Sequence, residues 1–389
     1  MSLSVVQLAL DGFRGYTHFQ LDKLSRLTIL VGPNAVGKTN IIEALELLCA
    51  GESFRRPAWS ETITWGCEHA RAEAVFEDGP RHIEHRLDVQ GNAHSFEVNG
   101  KKKSAAQLRG TCPCVLFIPD DLQMVKAASA RRRDALDSLG TQLSKSYGAL
   151  KSEYGKTLRQ RNLLIKDELD YGSLFDSWTD TLAVNGARLC VNRMRLFRRL
   201  THHMERIYSE LVDGERLSAR YLPSWMRFDE MGAQIGDVPE EGLISCEPDD
   251  VPSIERVQQT ISETCTRLRS VEHRRRTSLV GPHKDEVVFF IEGKNARLFG
   301  SQGQQRTVVL CWKLAEVELV SELLEKEPIL LLDDVMSELD ERHRDALTGF
   351  IERSAQTFIT TTNLGYFSSG LLEGADVVEL PIPGTRLQS

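Results

Sequence analysis

Short apolar segments separated by turn residues dominate the first fifty residues of the chain. Residues 5–9, 19–21 and 27–31 alternate or run together as apolar positions, which predicts three strands. The last of these ends in Gly-Pro-Asn at 32–34, a turn signal, and apolar residues then recur at helical spacing from Ile41 to Leu48. The pattern therefore predicts a strand, a glycine-containing loop and a helix in direct succession.

The pattern changes twice further along the chain. Residues 70–100 read as antiparallel strands with turns at 89–92 and 99–100. From 128 to 275 apolar residues recur at helical spacing and charged residues fill the gaps, with an acidic loop near 223–252. The helical spacing is clearest at Leu182, Leu189, Met194, Phe197 and Leu200.

Strands return after residue 278, at 287–291, 329–332 and 358–360. The fold class that we predict is α/β, with a mixed sheet and helices forming a head and a mainly helical domain inserted into it. The predicted division is 1–127 for the first part of the head, 128–275 for the helical insertion and 276–389 for the second part.

Composition adds few constraints. The 389 residues are 41% hydrophobic and 27% charged, as in ordinary globular proteins. No apolar run is long enough to span a membrane and the N-terminus lacks the pattern of a signal peptide, so we expect a cytoplasmic protein without a membrane partner. The eight cysteines lack the spacing of a zinc site, and we expect reduced, mostly buried thiols.

Residues 32–39 match the pattern G-x-x-x-x-G-K-[ST], and the predicted strand and helix flank them. The backbone N–H groups of such a loop bind phosphates, its lysine neutralises the β and γ oxygens, and its threonine hydroxyl binds Mg²⁺. We therefore predict bound ATP with Mg²⁺. The candidate ATP-binding residues of this loop are Gly32, Pro33, Asn34, Ala35, Val36, Gly37, Lys38, Thr39 and Asn40.

A second motif is the apolar strand 329–332 followed by two carboxylates. In this Walker B pattern Asp333 joins Thr39 as a candidate metal-binding residue, and Asp334 is the candidate catalytic residue that orients or deprotonates the attacking water. A Ser-Glu-Leu-Asp segment follows at 337–340 and resembles the D-loop of ABC ATPases.

A third motif, Ser-Gln-Gly-Gln-Gln-Arg at 301–306, precedes an apolar helix. Its position before the Walker B strand resembles the signature motif of ABC ATPases. In that arrangement Ser301, Gly303 and Gln304 would bind the γ-phosphate of an ATP molecule held by another copy of the chain. Lys38, Asp334 and Ser301 are then the candidate catalytic residues.

Together these motifs resemble the RecF family, whose heads are ABC-type ATPases related to SMC proteins. Further segments that carry the resemblance are Leu-Asp-Gly-Phe-Arg-Gly-Tyr at 10–16, Ser-Phe-Arg at 53–55, Phe-Ile-Pro-Asp-Asp-Leu at 117–122 and Thr-Ser-Leu-Val-Gly-Pro-His-Lys-Asp at 277–285. The matching segments run from residue 10 to about residue 363, and therefore cover nearly the whole chain.

The resemblance implies an ATP-dependent DNA-binding protein of recombinational repair that dimerises on ATP at gapped DNA or at junctions of single-stranded and double-stranded DNA. It further implies RecR, acting with RecO, as partner, and roles in loading RecA, in replication restart and in the SOS response. Asp334 stands where ABC transporters carry glutamate, and residues 360–363 hold no histidine, which favours a slow DNA-dependent ATPase.

The sequence gives less information about contacts with DNA than about the ATP site. The formal net charge is −8, yet positive residues cluster locally at 131–133, 193–206 and 267–276. Arg131, Arg132 and Arg133 are the candidate DNA-binding residues, and they follow Ala-Ser-Ala where the family usually has Gly-Ser-Pro. Because no base-reading motif is visible, we expect contacts to phosphates rather than to bases.

Three other functions fit parts of this pattern. An ATPase that drives a transporter would need a membrane partner and lacks the large insertion. A nuclease of the overcoming-lysogenization type would need a domain after the ATPase, and fewer than 60 residues follow the Walker B strand. An SMC-like chromosome organiser would need a far longer coiled coil than residues 128–275 provide.

Overall fold

The chain divides into two compact units in this computed structural model. The first unit comprises residues 1–122 and 316–389, and the second comprises residues 123–315. Residues 276–315 therefore belong with the helical segment in this division. The structure describes residues 3–167, 172–229, 233–234, 240–245, 247–353 and 356–381.

The first unit contains an antiparallel sheet with the strand order β2-β1-β4-β5-β6-β7. The turns predicted at 89–92 and 99–100 connect β5 to β6 and β6 to β7, so both predicted hairpins are confirmed. The strands are β1 (Leu3–Phe13), β2 (Tyr16–Asp22), β4 (His69–Asp78), β5 (Arg81–Gln90), β6 (Ala93–Val98) and β7 (Lys101–Lys103).

A parallel sheet of order β14-β3-β13-β12-β8 forms the other half of this unit. Its central strands are buried along their length, as expected for a parallel sheet that is covered on both faces. The strands are β3 (Leu27–Val31), β8 (Cys114–Phe117), β12 (Ile329–Asp333), β13 (Thr357–Thr361) and β14 (Asp376–Glu379).

Helix α1 (Lys38–Ala50) contacts strands of both sheets. Its apolar side chains, from Ile41 to Leu48, are buried in one core with residues of β1, β12 and β13. Three further helices of this unit are α2 (Ala105–Leu108), α9 (Glu341–Arg353) and α10 (Ser369–Glu373). Because α1 follows the predicted phosphate loop directly, this core fixes the position of the loop.

The second unit is mainly helical. Its helices are α3 (Ser129–Leu143), α4 (Lys145–Lys166), α5 (Ser173–Leu211), α6 (Ile254–Arg275) and α7 (Ala296–Phe299), and α8 (Gln302–Leu324) begins in it. They accompany an antiparallel sheet of order β11-β10-β9, formed by β9 (Leu217–Leu222), β10 (Glu286–Ile291) and β11 (Lys294–Asn295).

The five apolar residues that predicted helical spacing between 182 and 200 are all buried on α5. Strand β9 was not predicted, and it exists because it pairs with β10, more than sixty residues further along the chain. Part of the predicted acidic loop lies outside the described residues. Within the described ranges, none of the helices combines the length and apolar character that crossing a lipid bilayer requires.

Candidate functional site

The loop between β3 and α1 adopts left-handed backbone conformations at two positions, Ala35 (φ 67°) and Gly37 (φ 96°). A Cβ atom on Gly37 would lie 2.8 Å from the hydroxyl oxygen of Tyr16, so both the backbone angle and the space require glycine there. Tyr16 donates a hydrogen bond to the carbonyl of Val36 at 3.4 Å. Tyr16 therefore supports the loop by contacting it at Val36 and Gly37.

Lys38 is the first residue of α1 and is 7% exposed. Its Nζ donates to the carbonyl oxygens of Gly32 at 2.7 Å and Pro33 at 2.9 Å, so the ammonium is held within its own loop. Burial lowers the pKa of Lys38, whereas the nearby carboxylates of Asp334 and Asp333 act in the opposite direction. The ammonium and both carboxylates thus occupy one site.

The strand order brings the two predicted motifs together. Strand β13 lies between β3, which carries the loop, and β12, which ends at Asp333. The hydroxyl of Thr39 donates to Asp333 Oδ1 at 2.9 Å, and the hydroxyl of Thr360 on β13 donates to the same oxygen at 2.8 Å. No sequence pattern indicated the bond between Thr360 and Asp333.

Asp334 follows β12 in a left-handed conformation with φ 51°, and its N–H donates to the Thr360 hydroxyl at 2.8 Å. Its Oδ1 is buried without a hydrogen-bond partner. Burial raises the pKa of Asp334 above its usual value, although the Lys38 ammonium opposes this shift. A buried carboxylate oxygen with an unused lone pair is a group prepared to bind water or a ligand.

These residues fit a hard cation. Mg²⁺ prefers oxygen ligands and is usually held by one or two carboxylates, a hydroxyl, water and substrate phosphates. Thr39 and Asp333 already place a hydroxyl and a carboxylate in contact, and the unpaired oxygen of Asp334 lies beside them. The donor set therefore matches the metal that ATP carries.

A buried carboxylate, Glu43, forms ion pairs with Arg14 and Arg55, which lie in two of the segments that carry the family resemblance. Arg14 forms two hydrogen bonds to it, at 2.9 Å from Nε and 2.6 Å from Nη2, and Arg55 forms one at 3.1 Å. Ser53 also donates to Glu43, and Arg55 bonds the side chain of Asn40 at 2.9 Å. These contacts lock the first turns of α1, and no spacing rule in the sequence indicated them.

The segment predicted as a D-loop, residues 337–340, begins within a 3₁₀ turn, Val335–Glu338, that directly follows Asp334. The Ser337 hydroxyl donates to the Asp334 carbonyl at 2.8 Å, which fixes the start of the turn. Asp340, directly before α9, accepts a hydrogen bond from the N–H of His343 at 3.0 Å and caps the start of the helix. Glu338 is exposed on this turn.

The signature segment lies in the second unit and caps α8. The Ser301 hydroxyl accepts a bond from the Gln304 N–H at 3.2 Å, and the Gln304 side chain accepts one from the Ser301 N–H at 2.9 Å. The Gln304 amide also donates to Glu215 at 3.0 Å. A Cβ on Gly303 would have only Ser301 Oγ near it, at 3.9 Å, so the chain's own packing does not require glycine there.

The structure corrects one of the three candidate DNA-binding arginines. Arg132 is 2% exposed; its guanidinium pairs with Glu286 at 2.9 Å and donates to the carbonyls of Val125 and Ala127, both at 3.0 Å. Consecutive helical residues are rotated by 100°, so three adjacent arginines on α3 cannot share one surface. Arg132 is therefore a structural residue, whereas Arg131 and Arg133 are half-buried.

Replacing Arg132 with methionine is expected to lower the free energy of unfolding by about 3–5 kcal/mol, because Glu286 is left buried without its cation. Chemical denaturation of the purified variant measures this loss. The double variant Arg132→Met with Glu286→Leu should recover much of it, because both charges are then removed together. An unchanged midpoint in the single variant would contradict the assignment.

The sheets around α1, the phosphate loop, the paired carboxylates and the signature segment define the head of an ABC-type, SMC-related ATPase. The family model described as the RecF/RecN/SMC N terminal domain matches residues 4–375. Curated relatives agree with this match. The DNA replication and repair protein RecF of Gloeobacter violaceus is 38% identical, covering 98% of this chain and 97% of its own length, and that of Symbiobacterium thermophilum is 37% identical, covering 94% and 92%.

The chain therefore belongs to the RecF family of DNA replication and repair proteins. A solved structure of the recombination mediator protein RecF-ATPrS in the RecFOR pathway superposes with a TM-score of 0.83, at 28% identity and with 94% of each chain covered. The SMC head domain of Pyrococcus yayanosii reaches a TM-score of 0.54 at 13% identity, which shows the shared fold alone. The predicted family and fold class are both confirmed.

Proposed function

We propose that the chain is an ATP-gated DNA clamp of recombinational repair. Two copies would close on duplex DNA beside a gap or a junction with single-stranded DNA, with two ATP molecules between their heads, and would reopen on hydrolysis. The observation that carries this proposal is the split of the catalytic groups: the first unit holds Lys38, Thr39, Asp333 and Asp334, while the exposed signature serine and glycine belong to the second.

Each residue of the first unit has a defined task in this proposal. The backbone of residues 32–40 would bind the phosphates, and the Lys38 ammonium would exchange its two loop carbonyls for phosphate oxygens. Thr39 and Asp333 would hold Mg²⁺, which neutralises charge on the phosphates when bound. Asp334 would orient the attacking water and accept its proton, using the oxygen that lacks a partner.

The signature segment would complete the site of the other copy. Gln302 and Gly303 at the start of α8 are exposed and the first turn carries no acidic residue, so its N–H groups favour an anion. Ser301, Gly303 and Gln304 would bind the γ-phosphate there, although Gln304 must release its bond to Glu215 to do so. Since Asp334 is shorter than a glutamate and residues 360–363 hold no histidine, we expect slow hydrolysis, and we propose that DNA stimulates it.

The family supports the wider role. We propose that the chain acts in the cytoplasm with RecR and RecO at gapped DNA and helps to load RecA onto single-stranded DNA. Through that step it would serve replication restart and the SOS response. The support is the similarity over nearly the full chain to proteins named for replication and repair, and to a structure described within the RecFOR pathway.

Replacing Ser301 with arginine tests the composite site. The variant should bind ATP as a monomer but should neither dimerise nor hydrolyse ATP, because a guanidinium would stand where the γ-phosphate of the partner's ATP belongs. Size-exclusion chromatography with ATP and a phosphate-release assay measure both effects. Normal hydrolysis by Ser301→Arg alone would show that the signature does not serve a partner's nucleotide.

A smaller substitution separates the loss of dimerisation from misfolding. Gly303→Ala should leave the melting temperature unchanged or raise it, since the chain offers open space for the Cβ and alanine favours helix. It should nevertheless weaken ATP-dependent dimerisation, because the added methyl faces the partner's phosphate. If dimerisation stays at the wild-type level, Gly303 has no role between copies.

Mixing two inactive variants gives a third control. Lys38→Met keeps a functional signature and Ser301→Arg keeps a functional loop, so a mixed dimer contains one complete site. Partial ATPase activity should return on mixing. Sizing of the mixture with ATP shows whether mixed dimers have formed, and mixed dimers without activity would mean that both sites must act together.

A further inference from the structure

The segment that connects α6 to β10 carries a lysine, Lys284, surrounded by arginines from other elements. Arg133 on α3 donates from Nη1 to the carbonyl of Asp285 at 2.7 Å. Arg227, in the 3₁₀ turn Ser224–Arg227 that follows β9, donates from Nη1 to the carbonyl of Lys284 at 3.4 Å. Arg275 is exposed in the last turn of α6. We call Arg133, Arg227, Arg275 and Lys284 the basic cluster.

The acidic residues next to the cluster are engaged elsewhere. The Asp285 carboxylate is fully buried and accepts bonds from the Tyr221 hydroxyl and the Ser224 N–H, both at 2.7 Å. Glu286 pairs with Arg132. Within the described ranges, no side-chain carboxylate lies at salt-bridge distance from any member of the cluster. The exposed Asp134 follows Arg133 in the sequence and favours its positive charge.

The three arginines lie close enough to Lys284 to disfavour its positive charge. Burial lowers the pKa of Lys284, and the guanidinium groups of Arg133, Arg227 and Arg275 lower it further. Like charges gathered in one place make the folded chain less stable. Lys284, Arg133 and Arg227 are half-buried, so the fold holds these side chains in place and they cannot move apart into solvent. An anion bound between them would relieve this repulsion.

We propose that the basic cluster binds the phosphates of a DNA backbone, a site that rests on the DNA-binding function proposed above. Arginine binds phosphate oxygens through two parallel N–H groups and lysine adds a point charge. Every member of the cluster is a cation, and arginine and lysine side chains contact mainly phosphate oxygens on DNA. Of the predicted arginine triplet, Arg133 alone is a member.

The test compares a change within the basic cluster with a change elsewhere on α6. Arg275→Gln combined with Lys284→Gln should weaken the binding of a fluorescent duplex with a single-stranded gap by roughly 10- to 60-fold at 0.1 M salt. The slope of log K against log salt should fall by about 1.8, for two lost phosphate contacts. The matched control is Arg256→Gln, an exposed arginine nineteen residues before Arg275 on α6, which should leave both values unchanged.

Stability gives an independent readout. If Arg275 and Lys284 served only to stabilise the fold, neutralising them would lower the melting temperature of the chain. If they repel one another and bind an anion, Lys284→Gln removes repulsion and should keep or raise the melting temperature of the full chain. Dimer formation with ATP is measured on each variant before DNA is added, so that a folding or dimerisation defect is recognised as such. A lower melting temperature together with unchanged DNA affinity would overturn the proposal.

The outcome also separates this site from the general function. If the wild-type chain fails to bind DNA with ATP and Mg²⁺, the proposed clamp is wrong. If the wild type binds and the Arg275→Gln, Lys284→Gln variant binds equally well with the same salt slope, the clamp stands and the basic cluster is not its DNA site.

Discussion

Replacing Asp334 with asparagine is expected to slow ATP hydrolysis by about 10²–10⁴-fold while ATP binding and dimerisation persist. Asp333 and Thr39 keep their contact in this variant, so the metal site is retained, but the group that accepts the proton from water is lost. The variant should therefore accumulate as an ATP-bound dimer. A single-turnover phosphate-release assay and size-exclusion chromatography measure the two effects.

The matched control is Glu338→Gln, which neutralises an exposed carboxylate one turn further along the chain. Its hydrolysis rate should stay within a few fold of the wild type. If Asp334→Asn hydrolyses ATP at the normal rate and Glu338→Gln does not, the glutamate performs the task that we assign to Asp334.

Replacing Lys38 with methionine should abolish tight ATP binding, weakening it by about 100-fold or more. The two to three charge-assisted hydrogen bonds of the ammonium contribute about 1.5–3 kcal/mol each, and no other cation is held within this loop in the described part of the chain. Isothermal titration calorimetry with ATP and Mg²⁺ measures the loss. A near-normal affinity would remove this loop from the mechanism.

Lys101→Met is the control for this prediction. Lys101 is an exposed residue of β7 in the same unit, and its replacement should leave ATP affinity unchanged. The melting temperatures of both variants should be recorded as well, because Lys38 also neutralises two neighbouring carboxylates in the absence of nucleotide.

The ATP site could be predicted because each of its motifs is continuous in sequence. The phosphate loop needs only a strand, eight residues and a helix, and the Walker B pair needs only an apolar strand with two carboxylates after it. The contact between Thr39 and Asp333 crosses 294 positions, yet it follows once β3 and β12 are placed in one parallel sheet.

Contacts that depend on strand order or on helical rotation could not be predicted. Thr360 bonds both carboxylate residues because β13 lies between β3 and β12, an order that no local pattern encodes. Arg132 was predicted at a surface because charge was counted along the sequence, whereas adjacent helical residues point in different directions. The basic cluster could not be predicted from the sequence either, because its four members come from four separate segments of the chain.

The central claim is that two copies of this chain close around ATP. Multi-angle light scattering of the purified protein with ATP and Mg²⁺, with ADP and Mg²⁺, and without nucleotide tests it most directly. We expect a monomer without nucleotide and a dimer with ATP, which Asp334→Asn stabilises and Ser301→Arg prevents. A constant monomer under all three conditions, at protein concentrations where ATP is bound, would contradict it.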